Sequence, residues 1–276
     1  MNKKVCKLCP HHCALEENEI GICRARSNKQ GNITAINYGH ITSMALDPIE
    51  KKPLRRYFPG SYILSVGSFG CNLLCPFCQN YEISTVGIEK ANTRIISPQE
   101  LVEEAVSLRS KGNIGIAYTY NEPLVGYEYV KDCARAARQM DLKNVLVTNG
   151  CFCEEPIKEL LPYIDTLNID LKAFTETFYR KLGGDLDTVK RVIVLAAQHS
   201  HVEVTTLIIP GENDSEEEVR SLSSWLGSVR QDIPLHLTRF FPRYRMKERE
   251  PTDIAKLHAL ADIAREYLQY VYIGNC

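Results

Sequence analysis

At residues 68–80 the chain reads Ser68-Phe69-Gly70-Cys71-Asn72-Leu73-Leu74-Cys75-Pro76-Phe77-Cys78-Gln79-Asn80. Its cysteines have the spacing Cys71-x3-Cys75-x2-Cys78, and an apolar, strand-like run at residues 62–66 leads into them. They are therefore predicted to lie on a loop at the end of a strand. Three thiolates can hold three irons of a 4Fe–4S cube, whose fourth iron is then open. Zinc is the competing occupant, although structural zinc wants four ligands and more often shows paired CxxC spacing.

Beyond this loop, strand-like and helix-like runs alternate to the end of the chain. The first helix is announced by Ser97-Pro98-Gln99-Glu100, which combines an N-cap, a proline at the first helical position and a capping-box acid. Alternation of this kind predicts βαβ units, a parallel sheet and an α/β fold. The predicted strands span residues 62–66, 114–120, 144–148, 166–171, 202–209 and 235–240, with an edge strand at 270–273. In such folds the chemistry sits at the carboxyl ends of the strands.

The three-cysteine loop resembles the CxxxCxxC signature that follows the first strand of radical S-adenosylmethionine (SAM) enzymes. Together with the strings at residues 47–54 and 78–84, it resembles a narrower group, the radical SAM member of the AmmeMemoRadiSam system, a relative of pyruvate formate-lyase activating enzyme. The resemblance implies a radical SAM partial (β/α)6 barrel over residues 61–276, preceded by a small Cys-rich N-terminal segment at 1–60. It also implies two cofactors, SAM and a 4Fe–4S cluster on Cys71, Cys75 and Cys78.

Polar residues follow the second, third and fourth predicted strands. Asn121 and Glu122 follow the second strand and Asn149 follows the third, while Asp170 lies at the end of the fourth strand and Lys172 directly follows it. By resemblance, Glu122 receives the amino group of SAM through a charge-assisted hydrogen bond, and Asn121, Asn149 and Asp170 also contact the cofactor. Asp170 and Lys172 are further implied to line the SAM and substrate cavity and to act in catalysis. The alternatives are a helix-capping acid for Glu122 and a self-neutralising Asp–Lys pair inside the barrel.

The last predicted core strand adds two candidates. Alternation along residues 235–240 places His236 on the lumen face, where it is predicted to bind the cofactor. Arg239 is predicted at the rim, as a catalytic residue that anchors a substrate carboxylate beneath a mobile lid. The basic and aromatic stretch at 240–249 is the predicted lid, and a plain solvated loop is the alternative.

The N-terminal segment carries a second set of cysteines within eighteen residues. Four thiolates at such spacing suit a closed zinc site or a second iron–sulfur cluster. The alternative is free cysteines packed against the main domain. His11 and His12 are predicted to be spectators, because four thiolates suffice. The cysteines are Cys6, Cys9, Cys13 and Cys23.

Composition excludes several classes of protein. The 276 residues are 44% hydrophobic, with 33 basic and 34 acidic side chains, so charge gives no case for nucleic acid or an anionic membrane. No apolar run approaches the ~20 residues that span a bilayer. The N-terminus lacks the apolar region of a signal peptide. The 11 cysteines therefore predict metal ligands in a reducing cytoplasm rather than disulfides.

The resemblance implies an enzyme that cleaves SAM reductively to a 5′-deoxyadenosyl radical, which abstracts hydrogen from a substrate. The implied partners are a reductant such as flavodoxin or ferredoxin, and AMMECR-type and Memo-type proteins. One alternative is an activase that places a glycyl radical on a large partner enzyme. Another is a non-catalytic iron–sulfur or zinc protein, against which the polar strand ends argue.

Overall fold

A computed structural model describes residues 3–276. Residues 3–41 contain only short strands. Two antiparallel pairs form there, β1 with β2 and β3 with β4. The strands are β1 (Lys4–Val5), β2 (Ala14–Leu15), β3 (Arg26–Lys29), β4 (Asn32–Ala35) and β5 (His40–Ile41).

One eight-stranded sheet organises the rest of the chain, in the order β14-β13-β12-β11-β10-β9-β7-β6. All neighbouring strands from β7 to β14 pair in parallel, and β6 pairs antiparallel with β7. The α/β prediction is confirmed. The strands are β6 (Ser43–Pro48), β7 (Tyr62–Gly67), β9 (Asn113–Tyr118), β10 (Lys143–Thr148), β11 (Thr166–Asp170), β12 (His201–Ile208), β13 (Leu235–Arg239) and β14 (Val271–Gly274). The short β8 (Arg94–Ile95) pairs with β5 outside this sheet.

Helices connect the parallel strands. The capping box predicted at residues 97–100 is present, since the Ser97 side chain accepts from the Glu100 N–H and the Glu100 side chain accepts from the Ser97 N–H. The helices are α1 (Tyr81–Ser84), α2 (Pro98–Ser107), α3 (Tyr127–Gln139), α4 (Glu154–Leu160), α5 (Glu176–Leu182), α6 (Leu186–Ala197), α7 (Glu216–Val229) and α8 (Ile254–Arg265). Within residues 3–276, no helix combines the length and apolarity needed to cross a membrane.

The segment after β6 packs against the inner face of the sheet. Ile49 and Leu54 are fully buried and form a small cluster with Ile63, Ala117 and Val145, whose side chains come from β7, β9 and β10. This apolar cluster fixes the segment to the sheet.

A buried carboxylate fixes the same segment to the sheet. Glu203 of β12 has no exposed surface, and its oxygens accept from the backbone N–H groups of Arg55 (3.0 Å) and Arg56 (2.8 Å). His236 and His201 contact the same carboxylate at 2.6 Å and 3.0 Å. Burial opposes ionisation of Glu203, but these four donors outweigh it and lower its pKa to about 2. The ionised carboxylate therefore stabilises the fold.

The packing also bears on the predicted division at residue 60. Ser43–Pro48 forms a strand of the core sheet, and the residues after it fill the barrel lumen. Residues 43–48 join the core sheet for a non-local reason, because hydrogen bonds to β7 set the register of β6. The division into 1–60 and 61–276 stays a prediction about domains, and residues 43–54 pair with or pack on the core sheet.

Candidate active site

The three-cysteine loop leaves the carboxyl end of β7 and is held there by one asparagine. Asn121, which is buried, accepts from the Ser68 N–H (2.9 Å) and donates to the Gly70 carbonyl (3.0 Å). Gly70 has φ +88°, a conformation that side chains with a Cβ rarely adopt. Asn121 thus orders the loop directly, and a contact with the cofactor stays a prediction.

The thiol of Cys71 lies at the centre of the site. It is 3.4 Å from the Leu73 N–H and 3.7 Å from the Asn149 amide nitrogen, and both groups donate to sulfur. Asn149 also donates to the side-chain oxygen of Asn72 at 2.8 Å. Donors to sulfur are typical around iron–sulfur clusters, whose potentials they tune. The donor set of this loop therefore fits a thiolate-bound cluster.

Glu122 is buried where β9 and β10 end. Its carboxylate accepts from the Leu124 N–H (3.0 Å), the Thr148 hydroxyl (2.8 Å) and the Asn149 N–H (2.8 Å). The first bond caps the short 3₁₀ helix Pro123–Gly126, so Glu122 is a helix-capping acid as the alternative states. Its contact with SAM stays a prediction. Burial raises the pKa of Glu122 to about 7 despite these donors. A cationic ligand would stabilise the ionised form of this buried carboxylate.

Asp170 and Lys172 form an ion pair beside the cysteines, at the end of β11. The Lys172 ammonium lies 2.7 Å from Asp170, and both side chains are partly buried. Burial disfavours the ammonium, but the Asp170 and Cys75 charges prevail and raise the Lys172 pKa above its ordinary value. The predicted pairing is present, and it brings one positive and one negative group to the cysteine loop.

His236 and Arg239 do not join this group. His236 faces the lumen as predicted, but it contacts Glu203 nearer the amino ends of the strands. Arg239 donates to the Thr252 carbonyl at 2.8 Å and lies over the ring of Phe241 at 4.8 Å. Alternation turns its side chain away from the lumen. The contacts of both residues therefore give no support to cofactor binding by His236 or a substrate anchor at Arg239.

The predicted lid packs on the cysteine loop. The Arg245 N–H donates to the Pro76 carbonyl at 3.0 Å, and Met246 packs in one apolar cluster with Phe77. Tyr244 stacks on Tyr81 with ring centroids 4.5 Å apart. This stretch therefore covers the loop that carries Cys75 and Cys78.

Three residues inside the barrel received no role from the sequence. Lys52 is buried, with its ammonium 2.9 Å from Asp47 and 4.7 Å from the centre of the Tyr120 ring. The Tyr120 hydroxyl donates to the same carboxylate at 2.8 Å. Asp47 and Lys52 lie in the stretch 47–54, on which the family resemblance is partly based. That stretch could have pointed to both residues from the sequence alone. No sequence feature indicated the role of Tyr120, because the direction of its side chain depends on a positive backbone φ of 70°.

Comparisons with known proteins identify the family of the chain. The model of the Radical SAM superfamily matches residues 65–222, more than half of the chain. Uncharacterized protein MJ0808 of Methanocaldococcus jannaschii is 38% identical over 277 residues, which cover 99% of this chain and 82% of that protein. Pyruvate formate-lyase 1-activating enzyme of Escherichia coli is 25% identical over 180 residues, or 60% of this chain and 71% of the enzyme.

Solved structures show the same fold. Streptococcus suis SuiB bound to S-adenosylmethionine superposes with a TM-score of 0.59 over 75% of this chain and 48% of SuiB, at 14% sequence identity. At that identity the likeness concerns the fold alone. It agrees with the predicted radical SAM partial barrel.

The chain belongs to the Radical SAM superfamily, and it is an enzyme whose cofactors are a 4Fe–4S cluster and SAM. Within that superfamily it is homologous to the activating enzymes of which pyruvate formate-lyase 1-activating enzyme is one. This membership contradicts the alternative of a non-catalytic metal protein.

The position of Lys172 predicts an effect on the cluster. A positive charge beside Cys75 would stabilise the reduced, more negative form of a cluster held by that thiolate, so Lys172→Met should make reduction harder. With an effective dielectric near 20 the loss is about 1–2 kcal/mol, or roughly 40–80 mV toward negative potential for one electron. Asp170→Asn is the matched control and should shift the potential in the opposite direction. EPR-monitored redox titration measures both, and equal potentials in all three proteins would contradict this account.

Proposed function

We propose that this enzyme cleaves SAM reductively at a cluster held by Cys71, Cys75 and Cys78 and passes the radical to a bound substrate. When bound to these thiolates, the cluster would supply the one electron needed to cleave SAM to methionine and a 5′-deoxyadenosyl radical, which would abstract hydrogen from the substrate. The observation that carries the proposal is the convergence of three strand ends on one thiol loop, with Asn149 donating to Cys71 and the Asp170–Lys172 pair beside Cys75. A flavodoxin or ferredoxin is proposed as the reductant.

The residues of the chain have separate tasks in this proposal. Asn121 orders the loop, and Asn149 donates to Cys71 while its backbone fixes Glu122. Glu122 accepts a hydrogen bond from the SAM ammonium at a lone pair that its three protein donors leave free. Asp170 and Lys172 form their ion pair beside Cys75, where we propose that they contact the substrate.

The role of Glu122 predicts a specific loss of SAM affinity. Glu122→Gln removes the negative charge and keeps the size of the side chain, so SAM binding should weaken by ~1.5–3 kcal/mol, the worth of a hydrogen bond to a charged group. Anaerobic calorimetry on the reconstituted enzyme measures it. Ser97→Ala is the control, because the Ser97 side chain bonds to Glu100 of its own helix rather than to Glu122 or its donors, so SAM affinity should be unchanged. An unchanged affinity in Glu122→Gln would assign Glu122 to capping alone.

For the biological context, we propose that the enzyme is the radical SAM member of the AmmeMemoRadiSam system. The strings around residues 47–54 and 68–84 support this, and AMMECR-type and Memo-type proteins would supply or process the substrate. The test is 5′-deoxyadenosine production with and without each purified partner. A several-fold increase with the partners supports the proposal, and no change with either of them counts against it.

A second candidate is an activase for a glycyl-radical enzyme. The observation that favours it is the homology to pyruvate formate-lyase 1-activating enzyme over 60% of this chain. EPR of a purified glycyl-radical enzyme after incubation with this protein, SAM and reductant separates the two candidates. The doublet of a glycyl radical would favour the activase. Its absence, with 5′-deoxyadenosine still formed, would favour the first candidate.

A further inference from the structure

The four N-terminal cysteines lie around one cavity. Cys6, Cys9, Cys13 and Cys23 all line it, and the first two and the last are buried. Local structure brings them together, since the Cys6 N–H donates to the Cys13 carbonyl at 2.9 Å where β1 pairs with β2. Gly21 lies against the Cys13 thiol, where a Cβ would stand 3.6 Å from the sulfur.

The remaining walls are almost entirely apolar. Leucine, isoleucine, valine and phenylalanine side chains surround the thiols, and Arg26 is the charged residue of the lining. The Nε of Arg26 is buried without a hydrogen-bond partner, although its other nitrogens bind Glu128. His11 is not part of this lining, and its Nε2 lies 2.8 Å from the Asn72 carbonyl. The potential ligands are thus four thiols with an unpaired N–H nearby, which suits an anionic, sulfur-rich group.

Four thiolates can hold either of two groups. A zinc ion has every sulfur at about 2.3 Å from one point, whereas in an iron–sulfur cube each thiolate binds a different iron. Zinc carries no electron, whereas a cluster does, and the N-terminal thiols lie next to a loop whose chemistry needs one. The position of the set therefore favours a cluster over zinc.

The N-terminal cavity shares a wall with the catalytic loop. The Cys71 N–H donates to the Cys23 carbonyl at 3.2 Å, so one hydrogen bond links a cysteine of each set. At Gly70, a Cβ would stand 2.4 Å from that same carbonyl, so the close approach requires glycine. Groups bound at Cys23 and at Cys71 would therefore be neighbours.

We propose that Cys6, Cys9, Cys13 and Cys23 ligate a second iron–sulfur cluster, which exchanges one electron with the cluster on Cys71, Cys75 and Cys78. The N-terminal thiolates would hold a group that passes one electron to the catalytic group, and a low-potential one-electron carrier would return that electron to the N-terminal group. Ligation of the N-terminal cluster stands independently of the proposed function. The electron exchange rests on it, because it requires the catalytic ligands to be those proposed.

The ligation is tested in the full-length Cys71/Cys75/Cys78→Ala variant, reconstituted anaerobically with iron and sulfide in the presence of equimolar zinc. We expect bound iron and acid-labile sulfide in equal amounts and an EPR signal after dithionite reduction. One zinc per chain without iron, or no bound metal, would overturn the proposal. In the otherwise intact chain, Cys9→Ser with Cys23→Ser should remove only the N-terminal share of iron. Cys133→Ser, a buried helical cysteine outside both sets, should remove none.

The exchange is tested by EPR of the fully reduced wild-type enzyme. Two reduced clusters that share a wall should show spin–spin broadening or splitting. Neither variant with one set removed should show it. A wild-type spectrum equal to the sum of the two variant spectra would reject the exchange even if both clusters are present. If the catalytic loop instead bound no cluster, the first variant would match wild type in iron content, which would separate failure of the proposed function from failure of this inference.

Discussion

Replacement of Cys71, Cys75 and Cys78 together by alanine is expected to abolish 5′-deoxyadenosine formation. Without these thiolates no cluster can be held at the carboxyl end of the sheet, and SAM receives no electron. SAM cleavage should fall to the background of reductant alone. Anaerobic incubation with SAM and dithionite, followed by chromatography of the nucleoside products, measures it.

The matched control is Cys276→Ala, which removes an exposed terminal thiol and should retain full activity. Circular dichroism should show that the triple variant keeps its helices and sheet, because the loop is also held by Asn121. Residual activity in a folded triple variant would mean that the electron reaches SAM from another site.

Glu203→Gln is expected to give the largest change in stability. The pKa of Glu203 is about 2 in the folded protein and 4.5 ordinarily, so ionisation contributes about 3 kcal/mol at neutral pH. Because the folded pKa is the lower one, this contribution is present above pH 4.5 and is lost as the pH falls toward 2. The neutral amide cannot replace it. The variant should therefore unfold more easily at pH 7 and approach the wild type in strong acid.

Chemical denaturation at pH 7 and at intervals down to pH 3 measures both effects. Glu104→Gln, at an exposed position of α2, is the control and should change the free energy of unfolding by less than about 0.5 kcal/mol. An equal difference between wild type and Glu203→Gln at every pH would contradict the assignment of the effect to the carboxylate charge.

The same carboxylate illustrates what the sequence could not predict. Alternation along β13 correctly placed His236 on the lumen face, because side chains alternate with period two. Its partner Glu203 lies on the neighbouring strand, and no local pattern announces that pairing. For Arg239 the decisive contact is the Thr252 carbonyl, which belongs to a loop that the strand pattern does not describe.

Features with local causes were predicted well. The capping box of α2 depends on four consecutive residues, and the cysteine loop on a fixed spacing. The parallel strands follow from alternating apolar runs. By contrast, β6 was missed because its pairing with β7 decides its place. The contact between Cys23 and Cys71 could not be predicted from the sequence either, because these residues are 48 positions apart and the first strands of the barrel lie between them.

The most direct test of the account is anaerobic SAM cleavage by the reconstituted enzyme. SAM and dithionite are added, and 5′-deoxyadenosine and methionine are quantified against the Cys71/Cys75/Cys78→Ala variant. The account predicts equal amounts of the two products from the wild type and none above background from the variant. A wild-type protein that holds a 4Fe–4S cluster and binds SAM, yet forms no 5′-deoxyadenosine with or without AMMECR-type and Memo-type partners, would contradict it.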